Sequence, residues 1–116
     1  MRDPKERIRD ILEAIANIER YAAQGRSAFD RDELIRSWCV RQLEILGEAV
    51  RAIPPVVREL DPTVPWSQIT GMRNILAHGY FDVDGDLVWN VIQEHLPRLK
   101  DQMERLLRVI EGHDQK

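Results

Sequence analysis

The sequence is poor in cysteine and has no long apolar run, and each shortage excludes a class of protein. Cys39 is the single cysteine, so the chain can form neither an intrachain disulfide nor a metal site built on several cysteines. No stretch approaches the roughly 18 consecutive apolar residues that a membrane span requires. The charged N-terminus also lacks the apolar core of a secretion signal. We therefore expect a soluble protein of the reducing cytoplasm, with no membrane partner.

Aromatic residues are also few, at 6% of the chain, and basic residues are outnumbered by acidic ones, which gives a net charge of −3. This balance argues against long-range attraction to nucleic acid, although a local basic site remains compatible with it. Of the 17 basic residues 14 are arginines, whose planar guanidinium suits phosphate and carboxylate binding, although a coding bias explains the excess equally well. With 116 residues, 43% of them apolar, we expect one domain spanning residues 1–116.

The first half of the chain predicts two long amphipathic helices. Apolar residues at helical spacing indicate a first helix over about 4–24, with Asp3 as its N-cap and Gly25 as its stop. A second helix is expected to begin at an N-cap on Asp30. Its apolar stripe is wider than contact with a single neighbouring helix requires. The helix must end at Pro54, because proline restricts the residue before it and donates no backbone hydrogen bond.

The second half predicts two more helices, and no segment has the alternation of a convincing strand. The third helix is expected to have Pro65 in its first turn and Gly79 as its C-cap. An acidic turn follows at residues 81–86. It could form a hairpin, but we expect it to lead into a helix whose N-cap is Asp84 or Asp86. Pro97 should kink or split this last helix. The expected fold is an all-α bundle of four main helices.

The residues that could carry chemistry are concentrated at the end of the third helix. Arg73 can hold a phosphate through two hydrogen bonds, and His78 can act as a general base or acid near neutral pH. Asn74 lies on the same helical face as His78, where it could orient the imidazole or bind a sugar hydroxyl. Arg73 lies about 140° around the helix from His78, which favours a site completed by a second element or a second copy of the chain.

Each of these residues also has an ordinary structural explanation. A histidine at a helix end commonly binds the last carbonyls, and an arginine on a helix is usually solvated. Glu48 could pair with Arg73 and orient it, or could simply lie on the surface. Three tryptophans could stack on bases, although aromatic residues at helical spacing more often belong to the core: Trp38, Trp66 and Trp89.

The stretch from Arg73 to Tyr80 resembles the Arg-x4-His-x-Tyr motif of HEPN-domain proteins, specifically the HepT toxins of HepT/MntA toxin–antitoxin systems. The resemblance covers about residues 4–110 and includes several flanking segments: Leu43 to Ala49, Val64 to Trp66, Ile69 to Met72, Tyr80 to Asp84 and Leu96 to Leu99.

The resemblance implies a homodimer of helical protomers whose paired motifs line one cleft, acting as a metal-independent ribonuclease toxin without a cofactor. It implies that Arg73 and His78 are catalytic and that Asn74 is the family's polar residue after the arginine. It also implies that an MntA-like nucleotidyltransferase antitoxin attaches AMP to Tyr80 and so silences the toxin. Physically, AMP beside Arg73 would add bulk and negative charge where RNA must bind.

Two other interpretations are compatible with the residues alone. The chain could be a non-catalytic helical module that binds a nucleotide or a nucleotidyltransferase, which the net negative charge fits somewhat better. It could also be a purely structural bundle, with the polar cluster solvated.

Overall fold

The computed structural model describes residues 3–78 and 85–114, and these residues form helices and connections without strands. The long helices are α1 (Pro4–Ala22), α3 (Glu33–Arg51), α5 (Trp66–His78) and α7 (Leu96–Asp114). Shorter helices are α2 (Arg26–Arg31), α4 (Pro55–Arg58) and α6 (Gly85–Asn90). The predicted all-α fold with four main helices is confirmed.

Helix α1 begins and ends close to the predicted positions. The Asp3 carboxylate accepts a hydrogen bond of 2.8 Å from the backbone N–H of Lys5, as expected of an N-cap. The apolar stripe of α1 is buried at every turn, from Ile8 to Ala22. Gly25 has a φ of 97°, a conformation that glycine adopts without steric cost, and it directs the chain out of α1 into α2.

The predicted start of the second long helix at Asp30 is wrong. Asp30 lies inside α2, where its carboxylate accepts a hydrogen bond of 2.9 Å from Arg26, one helical turn earlier. The N-cap of α3 is Asp32, which has extended backbone angles and accepts from the N–H of Leu34 at 2.9 Å. Both aspartates suit an N-cap chemically. Asp32 is the cap because the helix is interrupted there, between α2 and α3.

Helix α3 packs against α1 on one side and α5 on the other, and α7 packs against α1. Their facing side chains form the core, with several fully buried members on α1 and α3, including Ile11, Ile15, Leu43 and Val50. Cys39 is part of this core, and burial raises the pKa of its thiol to about 11, so it is a packing residue.

The proline-rich segment 52–65 connects α3 to α5 and holds the end of one helix near the start of the other. Its short helical turn carries Arg58, which donates to the carbonyl oxygens of Val50 and Ile53 at the end of α3, at 3.2 and 3.0 Å. The Arg58 guanidinium also lies 5.9 Å from the ring of Trp66, the first residue of α5. One side chain therefore satisfies the last carbonyls of α3 and contacts the start of α5. The carbonyl oxygen of Pro65 accepts from the N–H of Ile69, and Pro65 lies one residue before α5 rather than in its first turn as predicted.

The last helix is split as Pro97 predicts. A π-helical turn (Val91–His95) joins α6 to α7 immediately before this proline. Proline lacks an N–H and its ring crowds the carbonyl four residues earlier, so a widened turn relieves the clash. Asp86 lies in the first turn of α6, so it is not the N-cap. Asp84 and Gly79, the other predicted caps, lie outside the described residues.

None of the described helices is both long enough and apolar enough to cross a membrane.

Helices α3 and α5 approach closely at Gly47, where α5 presents Arg73. A Cβ built at Gly47 would lie only 2.3 Å from the Cβ of Arg73 and 2.7 Å from its Cγ. Contacts this short cannot exist, so any larger residue at position 47 must push α5 away. By contrast, a Cβ built at Gly71 of α5 meets nothing within 4 Å.

We expect Gly47→Ala to lower the free energy of unfolding by about 1 to 3 kcal/mol, through overpacking against Arg73. Gly71→Ala is the matched control, because it adds the same methyl group to a helix in open space. It should stabilise by up to about 1 kcal/mol through helix propensity. Urea unfolding of both variants measures the two effects. Equal stabilisation by both would show that α3 and α5 do not meet at Gly47.

Candidate active site

Helix α5 divides its residues between the core and the surface. Ile69 and Leu76 are buried and Met72 packs against the core, as the sequence predicts. Arg73 follows Met72 and points toward α3, with 21% of its side chain exposed. Asn74 and Ile75 are exposed. The motif arginine is therefore held between two helices, and the two residues directly after it face outward.

The aliphatic stem of Arg73 lies on the bare backbone of α3 at Gly47. A glycine in the middle of a helix costs about 1 kcal/mol relative to alanine, so it usually marks a close approach. Sequence reasoning placed Gly47 in the segment that resembles the family but missed this contact. The helical glycine was the available signal.

Two polar side chains bind the guanidinium of Arg73. Glu48, adjacent to Gly47, forms an ion pair with one terminal nitrogen. The side-chain oxygen of Asn74 accepts a hydrogen bond of 3.1 Å from the other terminal nitrogen. The Nε of Arg73 is buried and has no hydrogen-bond partner among the described residues. The pairing of Glu48 with Arg73, which the sequence left open, is thus observed.

This arrangement fixes the guanidinium without using all of its donors. Each terminal nitrogen of an arginine carries two hydrogens, and the described contacts occupy one nitrogen with Glu48 and the other with Asn74. The remaining hydrogens can still donate to an incoming anion. Glu48 is 49% exposed, so solvent screens its charge and weakens its hold on the cation.

The other predicted site residues are only partly described. Helix α5 ends at His78, and the His78 imidazole and all of Tyr80 lie outside the described residues. The structure therefore brings Arg73, Asn74 and Glu48 together, and the catalytic roles of Arg73 and His78 stay predictions. The oxygen of Asn74 is bound to Arg73, which gives this amide a second task beside the predicted one of orienting His78.

A surface pocket of about 330 Å³ opens beside Arg73, between α1, α3 and α5. It is lined by three arginines, three carboxylates and two apolar residues, Ile45 and Ala49. The charged residues are Arg7, Asp10, Arg41, Glu44, Glu48 and Arg73. Four of these residues, all but Glu48 and Arg73, were not singled out from sequence, because their convergence depends on the packing of three helices.

The three tryptophans are mainly structural. Trp66 is buried and its indole donates to the Asp61 carbonyl at 3.1 Å. Trp89 packs on Phe29, with ring centroids 5.1 Å apart. Trp38 is 37% exposed, and its indole donates to the backbone of Asn17 at 2.9 Å.

Within the part of the chain that the structure describes, no three histidine, cysteine or acidic side chains are grouped so that they could hold a metal ion.

Comparison with known proteins identifies the family. The model of the family described as "Ribonuclease HepT-like" matches residues 11–106. A "Putative RNase" of Methanocaldococcus jannaschii is 38% identical over 104 residues, covering 89% of this chain and 95% of that protein. A "Probable ribonuclease HepT" of Thermococcus cleftensis is 37% identical over 106 residues, covering 90% and 96%. No solved structure matches the chain at a significant level. The helical fold, the Arg73 site and these matches together place this chain in the HepT-like ribonuclease family.

Proposed function

We propose that the chain is the toxin of a cytoplasmic toxin–antitoxin pair, a metal-independent endoribonuclease whose active site forms in the cleft of a homodimer. The observation that carries this proposal is the fixed guanidinium of Arg73, which Glu48 and Asn74 hold beside an open pocket. Family membership supports RNA as the substrate.

The proposed reaction uses the 2′-hydroxyl of the RNA as its nucleophile. His78 removes the proton from this hydroxyl, and the oxygen attacks the adjacent phosphorus. The bond from phosphorus to the 5′-oxygen breaks, that oxygen takes up a proton from water, and the products carry a 2′,3′-cyclic phosphate and a 5′-hydroxyl. Arg73 stabilises the negative charge that builds up on the phosphate oxygens, and Glu48 and Asn74 keep the guanidinium in place before RNA binds.

A second protomer supplies what one copy lacks. In α5, Arg73 points toward α3, and helical geometry places His78 about 140° around the axis. Ile75, between them, is 65% exposed, which leaves an apolar side chain that a partner would cover. Paired motifs across a twofold axis can bring the arginine of one copy near the histidine of the other.

We expect His78→Ala to reduce cleavage of single-stranded RNA by about 100- to 10,000-fold, which is the usual contribution of a general base. The assay contains EDTA, and light scattering checks that both proteins have twice the mass of one 13.6 kDa chain.

His95→Ala is the matched control for this experiment, because His95 is exposed on the π-helical turn. It should cleave like the wild type. If His78→Ala cleaves RNA as fast as the wild type, His78 is not the base. If the wild type binds nucleotide but does not cleave, the chain is the non-catalytic binding module instead.

Glu48→Gln tests whether the ion pair positions Arg73. The substitution keeps the shape but removes the charge, so the guanidinium loses its anchor on α3. We expect kcat to fall by about tenfold while KM changes little, because an interaction realised in the transition state is disturbed.

Glu33→Gln is the control for the loss of one negative charge, since Glu33 lies at the opposite end of α3. A rise in kcat for Glu48→Gln would mean that Glu48 restrains Arg73 rather than orienting it. An equal change in kcat in both variants would mean that the effect comes from the lost negative charge and not from the ion pair with Arg73.

We further propose that an MntA-like nucleotidyltransferase antitoxin attaches AMP to Tyr80 and silences the enzyme. Tyr80 lies two residues beyond His78, so a phosphate there would compete with RNA for the same cations. The intact mass of the chain, co-expressed with the nucleotidyltransferase, should increase in steps of one adenylate and RNA cleavage should be lost.

Tyr80→Phe should keep the unmodified mass, whereas Tyr21→Phe, which removes the other tyrosine of the chain, should still be modified. Adenylate on the Tyr80→Phe variant would locate the modification elsewhere.

A further inference from the structure

The pocket beside Arg73 has a composition that suits a nucleotide. Its volume is about 330 Å³, and its lining combines two apolar residues, Ile45 and Ala49, with six charged ones. Ligand sites of this size typically combine an apolar surface with a few polar groups that fix orientation. The apolar residues can contact a ribose or base, and the arginines can contact a phosphate.

The arginines of the pocket are not equivalent. Arg73 is paired with Glu48, and Arg41 is paired with Glu44 at 3.2 Å. Arg7, on α1, is partly buried and forms no ion pair with any residue that the structure describes. Its charge is therefore available to a ligand, although Asp10 lies on the same wall. A partly buried cation with no ion-pair partner among the described residues is a favourable place for a phosphate.

We propose that this pocket is a subsite for the nucleotide next to the scissile phosphate, and that Arg7 binds the neighbouring phosphate of the RNA. The inference rests on the proposed ribonuclease function, because Arg73 is taken as the residue that holds the scissile phosphate. Arg7 is then a substrate-binding residue: it contributes to RNA affinity and not to the chemical step.

Binding of a fluorescent single-stranded 2′-O-methyl oligonucleotide, which lacks the nucleophilic hydroxyl, tests the subsite without cleavage. Arg7→Ala should weaken binding by about tenfold, the usual effect of losing a charged hydrogen bond. The slope of log affinity against log salt should fall by about 0.7, because one phosphate contact is lost from a single strand. Arg7→Lys keeps the charge and should retain most of the slope.

Arg9→Ala is the matched control, because Arg9 lies on the same helix but outside the pocket, 3.9 Å from Glu111. It should leave affinity and slope unchanged. With cleavable RNA, Arg7→Ala should raise KM and leave kcat within about twofold of the wild type.

Three results would overturn this proposal. The first is equal affinity of Arg7→Ala and Arg9→Ala for the oligonucleotide, and the second is no binding of it by the wild type at low salt. The third is a loss of kcat at unchanged KM in Arg7→Ala. Failure of the ribonuclease proposal is distinguishable, since it appears as wild-type protein that binds the oligonucleotide through Arg7 but does not cut RNA. Thermal unfolding of all three variants shows whether each is folded.

Discussion

The geometry of the site depends on the contact between the backbone of α3 at Gly47 and the side chain of Arg73 on α5. With no Cβ in the way, α5 lies close enough for the arginine stem to rest on α3 and for its guanidinium to reach Glu48, the next residue along. A helical glycine costs about 1 kcal/mol of propensity, which the core around Leu43, Leu46 and Val50 offsets. One residue without a side chain thus sets both the helix spacing and the position of the cation.

The same contact explains how a chain of net charge −3 can present a site for a polyanion. The charges around the pocket are equal in number, three arginines and three carboxylates, so the local surface is less acidic than the chain as a whole. The carboxylate of Glu48 is 49% exposed and is screened by water and salt, whereas the partly buried guanidinium of Arg73 keeps its directional donors. Under the proposed function, affinity for phosphate at this site depends on the placement of the arginines more than on the net charge of the chain.

Sequence periodicity predicted the four main helices because each buries one continuous apolar stripe, and Pro97 correctly predicted the split in the last one. It failed at Asp30, because Asp30 and Asp32 both suit an N-cap. Asp30 lies inside the short helix α2, so Asp32 caps α3. Side-chain chemistry and the family resemblance, not periodicity, predicted Arg73, Asn74 and Glu48, which the structure brings together. Periodicity did not find Arg7 or Arg41, because no periodicity within one helix reveals which residues three helices bring to one pocket.

The two halves of the motif are fixed by different parts of the fold. Arg73 is held by α3 through Gly47 and Glu48, whereas His78 is the last residue of α5 and Tyr80 lies beyond its end. Under the proposed function, a group added at Tyr80 blocks access to the cation, and this step is separate from the packing of α5 on α3 that positions Arg73. Under the proposed mechanism, this separation lets a covalent modification silence the enzyme while the bundle stays folded.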